Sequence, residues 1–423
     1  MSKKILFQIS IIISLAFFFG IISFLSYKNI FQNKKINKNN QILTQIEQNL
    51  IKNSKSKENL IEKLKLNIDS NKIESFLSGA NNWFVRNIKD KGIFVYRYNA
   101  YTGEYSKKNN MIRQLMASRL LAEMSLEDKS LLSMHKKNLE FIFKYWYQEE
   151  GEFGYIYYNH KSKLWSIAMA LRTLVYSPYF EDYKEQWDRL ANTILKLQNK
   201  DGSMEPWYIA PKYSYDKNYL LTFYSGEAIL SLIEYAEKTG NKKYLKSAIL
   251  SQDYYLEKYV NNLEENYYPA YVPWHTISLN KLFYITQDKK YADAIFVLND
   301  KLLEIQDIGE DKRFRGRFYN PLFAQYGNPH SSSDGIYTEW LAFAWEIARE
   351  VWDEIHLKKY EQALKLATDN LVNLQYTEKD SELVFYPILK GGVRIKIWDR
   401  STRIDTTQHA LDGFRKMKLL LSE

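Results

Sequence analysis

Acidic, imidazole and guanidinium side chains occur near the starts of several amphipathic segments of this 423-residue chain. Such groups transfer protons and bind anions, so their joint placement points to a catalytic or ligand-binding site. Three of the six histidines of the chain belong to this set. Its members are Asn110, Arg113, Trp165, Ser166, Tyr224, Ser225, Glu227, Trp274, His275, His330, Asp334, Tyr337, Glu339, Asp405, Gln408 and His409.

The carboxylates of this set are suited to glycoside hydrolysis. That reaction needs two carboxyl groups across the bond, one protonated as the acid and the other acting as base or nucleophile. We predict Glu339 as the acid and Glu227 as the base, with Asp334 and Asp405 as alternates. A purely structural role is open for two of them, because Asp334 fits a helix N-cap and Asp405 with Gln408 fits a capping box.

Epimerisation or elimination on a uronic acid would use other members of the set. A base removes the proton beside the carboxylate, and a guanidinium group neutralises the charge that develops. His275 and Tyr337 are the candidate proton-transfer groups, and Arg113 is the candidate for charge neutralisation. The residues by themselves leave hydrolysis and proton transfer both open.

Aromatic and basic residues crowd the connections between the amphipathic segments. Trp207, Tyr208 and Tyr215 offer ring faces on which sugars can stack, because exposed aromatic loop residues are hard to explain as core. Arg400 and Arg403 carry planar groups that suit carboxylate or phosphate, although a solvated basic loop would give the same pattern. The predicted substrate-binding set also includes Arg113, Trp274, His330, Tyr337, Gln408 and His409.

Composition excludes several classes of function. Cysteine is absent, so disulfides, thiolate catalysis and Cys-ligated metal sites are excluded. His275, His330 and His409 lack close ligand spacing, and we predict no metal and no cofactor.

Residues 1–72 hold twelve Lys and four acidic residues, so they carry +8 of the net charge of +9. A nucleic-acid-binding protein would spread its basic groups over a folded face, which argues against that function.

The basic segment surrounds a hydrophobic stretch. Residues 5–27 contain no charge and are long enough to span a bilayer at about 1.5 Å per residue. We predict an uncleaved anchor after a tail of residues 1–4, followed by a polar stalk of residues 28–72 and a folded domain of residues 73–423. Lysines flank both ends of the anchor, and strict counting of them would put the stalk in the cytoplasm. Large domains after a first hydrophobic segment are usually translocated, which favours the outer face of a bacterial-type inner membrane.

The folded domain has the apolar period near 3.6 that predicts helices. Lys-Lys-Tyr recurs at 242–244, 289–291 and 358–360, each time at the start of the second helix of a pair, and the links within pairs are short. Six such hairpins, with the first and last helices paired, would close into an all-α (α/α)6 toroid. The predicted helices are 73–90, 112–125, 126–148, 162–177, 181–199, 222–239, 241–261, 273–286, 288–307, 333–355, 357–376 and 405–422.

A closed toroid would gather the amino ends of its inner helices, and with them the candidate residues, at one mouth.

Residues 197–203, Leu-Gln-Asn-Lys-Asp-Gly-Ser, and 224–228, Tyr-Ser-Gly-Glu-Ala, resemble the six-hairpin glycosidase superfamily. The nearest resemblance is to the α-helical domain of D-glucuronyl C5-epimerases and related carbohydrate-active proteins. It implies a glycosidase, uronate epimerase or lyase that acts on an envelope or exported polysaccharide, anionic polymers included.

Two alternatives belong to other classes. A toroid without catalysis could bind a glycan or serve as a scaffold in envelope assembly. The segment 197–203 also resembles the repeat of terpenoid cyclases and protein prenyltransferases. The chain has neither the acidic Asp-x-Asp-Asp run of the cyclases nor the zinc-binding Cys of the prenyltransferases.

Overall fold

The computed structural model describes residues 65–422. The predicted membrane anchor and residues 28–64 of the predicted stalk lie outside these residues. Within the described part, no helix is both long enough and apolar enough to cross a bilayer. The last residues of the predicted stalk already pack on the domain, since Leu66 and Ile68 are buried.

Twelve helices of at least twelve residues build the described part of the chain, in the number and order that the sequence predicts. Their ends differ from the predicted bounds by a few residues. The helices are α1 (Ser70–Arg86), α2 (Met111–Glu127), α3 (Leu132–Tyr145), α4 (Leu164–Val175), α5 (Lys184–Lys196), α6 (Lys217–Thr239), α7 (Lys242–Leu256), α8 (Tyr271–Thr286), α9 (Lys289–Leu303), α10 (Ser331–Glu350), α11 (Glu354–Leu374) and α12 (Ile404–Ser422).

The even-numbered helices form a closed inner ring. Each of α2, α4, α6, α8, α10 and α12 packs against the next, and α12 returns to α2. The odd-numbered helices pack outside, and α1 lies against α12. The predicted pairing of the first and last helices and the predicted toroid are therefore both observed.

The recurring tyrosines link neighbouring outer helices. Tyr244 in α7 is buried, and its hydroxyl donates to Asn192 Oδ1 in α5 at 3.1 Å. Tyr360 in α11 is buried too, and its hydroxyl donates to Asp300 Oδ1 in α9 at 3.0 Å. The Lys-Lys-Tyr repeat seen in the sequence is thus a packing element of the outer ring.

Glutamines after the outer helices repeat a second contact. The side-chain amides of Gln198 and Gln306 donate to backbone carbonyls of the next outer helices, α7 and α11. Gln375 does the same across the point of closure, where its Nε2 donates to Phe76 O in α1 at 2.9 Å. These three glutamines therefore stabilise the packing between neighbouring outer helices.

Short antiparallel strands, which the all-α prediction did not include, form in the connections. The strands are β1 (Arg97–Asn99), β2 (Glu104–Tyr105), β3 (Tyr147–Glu150), β4 (Phe153–Ile156), β5 (Ser162–Lys163), β6 (Trp207–Ile209), β7 (Arg394–Lys396) and β8 (Asp399–Arg403). One sheet has the strand order β2-β1-β8-β7, while β3 pairs with β4 and β5 pairs with β6. Pairing satisfies backbone N–H and C=O groups in segments too short for helices.

Two glycines allow the inner helices to approach closely. A Cβ atom on Gly226 in α6 would lie 2.6 Å from Trp274 Cβ in α8. A Cβ atom on Gly335 in α10 would lie 2.7 Å from Ala410 N in α12 and 3.0 Å from His409 Cβ. Because only glycine fits at these crossings, Trp274 and His409 are held close to neighbouring helices of the inner ring.

Candidate active site

A cavity of about 450 Å³ opens at the amino ends of the inner helices. We call it the mouth cavity. Strand β8 leads directly into α12 and strand β5 directly into α4, so Arg403 and Lys163 are placed at its wall by strand pairing. The sequence-predicted residues that line it are Asn110, Arg113, Trp165, Trp274, His330, Tyr337, Arg403, Asp405 and His409.

Asp405 is the centre of an ion cluster in this wall. Arg403 Nη2 donates to its Oδ2 at 2.7 Å, and Arg113 Nε lies 2.8 Å from the same oxygen. Ser332 Oγ donates to it as well, at 2.9 Å. Although burial acts to raise it, the two guanidinium groups hold the pKa of Asp405 well below its usual range. Asp405 is therefore ionised at neutral pH and has no proton to give.

Two histidines in the same wall are uncharged. The Nδ1 atom of His330, the N-cap of α10, accepts from Ser332 N at 3.0 Å, which places the proton of the neutral ring on Nε2. Burial, aided by Arg403, lowers the pKa of His330 to about 4. Burial likewise lowers the pKa of His409 to about 3. Within the described residues, His330 Nε2 and His409 Nδ1 have no hydrogen-bond partner.

Another part of the lining is aromatic. Trp274 lies between Trp165 and Trp340, with ring centroids 5.4 Å and 5.3 Å away. Its ring also meets that of His409 at 6.5 Å. Aromatic faces beside polar groups form the kind of surface on which a sugar ring stacks.

Several residues that line the mouth cavity were not predicted from the sequence. Lys163 immediately precedes an inner helix, so the rule that found Arg113 and His330 would have found it as well. Tyr268 and Asn328 lie in connecting loops without a motif, and no local signal marks them. The further missed lining residues are Ile112, Met116, Phe223, Ala270, Pro273, Tyr326, Gly327, Ser332, Ser333 and Ile336.

A buried acid–base cluster lies next to the mouth cavity along the inner ring. Ligand atoms of Glu339, His409 and Asp412 lie within 4.8 Å of one another. Burial raises the pKa of both carboxyl groups, and a neighbouring carboxylate adds to each shift, Asp412 for Glu339 and Glu123 for Asp412. Arg119 opposes both shifts. The three side chains could hold a metal ion, but Arg119 and Gln408 already donate to Asp412.

The predicted hydrolytic pair does not lie across the mouth cavity. Glu227 is fully buried, and Arg172 Nη1 donates to its Oε1 at 2.7 Å. Burial raises the pKa of Glu227, whereas Arg172 lowers it. Glu339 lines a second cavity of about 870 Å³ at the carboxyl ends of the inner helices. Neither carboxylate is among the residues that line the mouth cavity.

Two other predicted catalytic residues are also outside the lining of the mouth cavity. Asp334 Oδ1 accepts from Phe318 N at 2.7 Å, and burial raises the pKa of Asp334 to about 6. His275 is buried, with Ser225 Oγ 3.1 Å from its Nε2 and the Gln252 side chain at its Nδ1. Both arrangements hold neighbouring segments of the fold together.

The remaining predicted binding residues are dispersed. Trp207 is buried against Tyr215, while Tyr208 packs against Tyr155. Arg400 is in strand β8, and its Nε lies 3.1 Å from Glu382 Oε1. Gln408 is buried in the acid–base cluster, and with Trp207, Tyr208, Tyr215 and Arg400 it is outside the lining of the mouth cavity.

Comparisons with known proteins identify the fold. No protein-family model and no curated protein matches the sequence. A D-mannose isomerase structure matches with a TM-score of 0.64 and 11% identity over 83% of this chain and 98% of that one. An inactive variant of the α-1,6-mannanase GH76A of Salegentibacter sp. HEL1_6, in complex with α-1,6-mannotriose, matches with a TM-score of 0.58 and 12% identity. The match covers 82% of this chain and 99% of that one. A sugar epimerase from a ruminal bacterium matches with a TM-score of 0.58 and 15% identity over 83% of this chain and 98% of that one.

These structures have the six-hairpin glycosidase-like fold, so the resemblance inferred from the sequence is confirmed at the level of the fold. The three proteins named above all act on sugars, by isomerisation, hydrolysis or epimerisation. A shared fold does not by itself identify which of these reactions a given chain performs. That choice depends on the residues of the mouth cavity.

Proposed function

We propose that this protein is a carbohydrate-active enzyme that rearranges a sugar residue by proton transfer, in the manner of an isomerase, epimerase or lyase. One observation carries the proposal: two uncharged imidazoles, His330 and His409, share the mouth cavity with a carboxylate held by two guanidinium groups. Sugar isomerase and epimerase structures of the same fold support it.

Hydrolysis is less well supported by the same wall. It requires a protonated carboxyl group and a second carboxylate on either side of the glycosidic bond. Among the described residues, Asp405 is the only acidic residue that lines the mouth cavity, and Arg113 and Arg403 keep it ionised. It can orient the guanidinium groups, but it cannot protonate a leaving group.

The proposed roles follow from the contacts. An uncharged imidazole accepts the proton from the sugar carbon beside a carbonyl or carboxyl group, and we assign this role to His409. The electron pair moves onto the adjacent oxygen, where the N–H of His330 and the guanidinium of Arg113 stabilise the negative charge. In an isomerisation or epimerisation, the imidazolium then returns the proton to carbon. In an elimination, a C=C bond forms, the bond to the glycosidic oxygen at the next carbon breaks, and that oxygen takes the proton. Asp405, which stays ionised in the same cavity, favours the transient positive charge of His409.

The test is proton exchange at carbon. The protein is incubated in D₂O with a panel of neutral and uronate-containing oligosaccharides, and deuterium incorporation is followed by NMR. Incorporation that disappears in His409→Asn supports the proposal. Release of reducing ends with an unsaturated product would identify a lyase, whereas release of saturated products without exchange would instead identify a hydrolase. Binding without any reaction would identify a glycan-binding scaffold.

The predicted location is a separate proposal. Residues 5–27 would anchor the protein in the membrane, with the domain on the outer face and an envelope or exported polysaccharide as its substrate. The length of the uncharged segment supports the anchor, and the large domain that follows it favours translocation. Protease added to intact spheroplasts should then digest the domain, and protection until lysis would place it inside the cell.

A further inference from the structure

The mouth cavity has an uneven balance of charge. Its lining holds three cationic groups, Arg113, Lys163 and Arg403, against the single carboxylate of Asp405. The two histidines add no charge at neutral pH, because burial holds the pKa of each below its usual value. A cavity with this balance of charge favours a ligand that brings negative charge.

Lys163 differs from the two arginines in its surroundings. Both arginines contact Asp405, whereas no acidic partner of Lys163 is present among residues 65–422. Its Nζ lies over two aromatic rings, 5.6 Å from the centroid of Trp207 and 5.8 Å from that of Tyr224. Its one charged neighbour of note, Lys161, repels it.

The position of Lys163 is fixed by the backbone. It is the last residue of β5, is paired with Trp207 in β6, and directly precedes the first residue of α4. Burial lowers the pKa of its ammonium group. A lysine that only needed solvent could extend away from the protein, but this one lines the wall of the mouth cavity.

We propose that Lys163 binds an oxyanion carried by the sugar in the mouth cavity, which makes it the residue that selects anionic over neutral substrates. The oxyanion is a carboxylate, sulfate or phosphate, since an ammonium group recognises all three as point charges. This inference rests on the proposed function for its sugar ligand. It does not depend on which reaction follows.

The test measures binding and requires no turnover. Calorimetry compares an oligogalacturonate with its carboxyl-reduced, neutral counterpart for the full chain and for Lys163→Met, which keeps the length and removes the charge. We expect the variant to bind the oligogalacturonate at least 10-fold more weakly and the neutral sugar within twofold of wild type. Lys163→Arg should retain most of the affinity.

Lys161→Met is the matched control, because Lys161 lies two residues away and its Nζ donates to Tyr213 at 3.0 Å. It should bind both sugars within twofold of wild type. Sulfated and phosphorylated oligosaccharides then identify which oxyanion binds most tightly. Equal loss for both sugars in Lys163→Met, no loss for either, or no preference of the wild type for an anionic sugar would overturn the inference. Loss of proton exchange in His409→Asn with unchanged binding tests the proposed function independently.

Discussion

The two ends of the inner ring differ in how their charged groups are satisfied. At the mouth cavity, Lys163 has no acidic partner, and nitrogens of His330 and His409 lack hydrogen-bond partners among the described residues. At the carboxyl end, charges occur in pairs, such as Glu237 with Lys281 at 2.7 Å and Glu346 with Lys416 at 2.7 Å. Groups left unmatched are available to a ligand, whereas matched groups stabilise the fold.

The buried part of the carboxyl end follows the same rule. Arg172 Nε and Nη2 donate to both oxygens of Glu234, at 2.6 Å and 2.9 Å, and the Tyr176 hydroxyl donates at 2.7 Å. Arg172 also binds Glu227. A bidentate pair with this many donors holds α4 against α6 and leaves little for a ligand to bind. The difference between the ends therefore separates function from stability, and substitutions at each end can test it.

The largest effect is expected at the mouth cavity. His409→Asn should lower turnover by about 100- to 10,000-fold, the range for loss of a general acid–base group, and leave the unfolding midpoint nearly unchanged. Proton exchange and thermal unfolding measure the two quantities. Lys281→Met at the other end should keep wild-type turnover. A large loss of stability in His409→Asn with little change in turnover would contradict the contrast.

The next effect concerns stability at the carboxyl end. Arg172→Met leaves Glu227 and Glu234 buried without their partner, so the free energy of unfolding should fall by about 3–5 kcal/mol. Denaturant unfolding measures this change. The partly exposed pair of Lys281 with Glu237 provides the control, since Lys281→Met should change stability by about 0–1 kcal/mol. Similar changes in both variants would show that burial does not decide the contribution.

Asp334, next to the mouth cavity, predicts a pH dependence. Burial raises its pKa in the folded protein to about 6, from the usual 3.8, so the folded protein holds the proton more tightly than the unfolded chain does. Stability should therefore fall as the pH rises from about 4 to about 6 and level off above that, by about 2–3 kcal/mol.

Asp334→Asn keeps an oxygen that can accept from Phe318 N and removes the titration. The difference between the unfolding free energies of wild type and variant, measured from pH 4 to 7, isolates this carboxyl group from other buried acids. A difference that does not vary with pH would contradict the prediction.

The smallest effect concerns the helix crossing that supports the mouth cavity. Gly335→Ala places a methyl group 2.7 Å from Ala410 N, so α10 and α12 must separate, at about 1–3 kcal/mol of stability. Gly413→Ala is the graded comparison, because its nearest atom would be Glu339 N at 3.1 Å. Chemical unfolding should rank Gly335→Ala as the more destabilised, and the reverse order would contradict this account of the crossing.

Helix periodicity and the Lys-Lys-Tyr repeat were sufficient to predict the twelve helices, because both are local features of a hairpin that recurs along the chain. The short strands could not be predicted in this way. β1 pairs with β8 across about 300 residues, and each strand has too few residues to show a period.

The candidate site was predicted in part. Arg113, His330, Asp405 and His409 were found because inner-helix starts converge in a closed ring. Glu227 lies outside the lining of the mouth cavity. Its distance from the helix start could not show this, because that distance says nothing about which side chain on a neighbouring helix will pair with it. Arg172 is that partner, and its position is set by the packing of α4 on α6.

The sequence by itself determined the helical hairpins, their order and the polar character of the inner-helix starts, because these depend on neighbours within a few residues. Only the tertiary structure decided which charges neutralise each other. Ion pairing depends on distances between helices far apart in the chain, and these distances leave Lys163 without an acidic partner among the described residues while Asp405 has two basic ones.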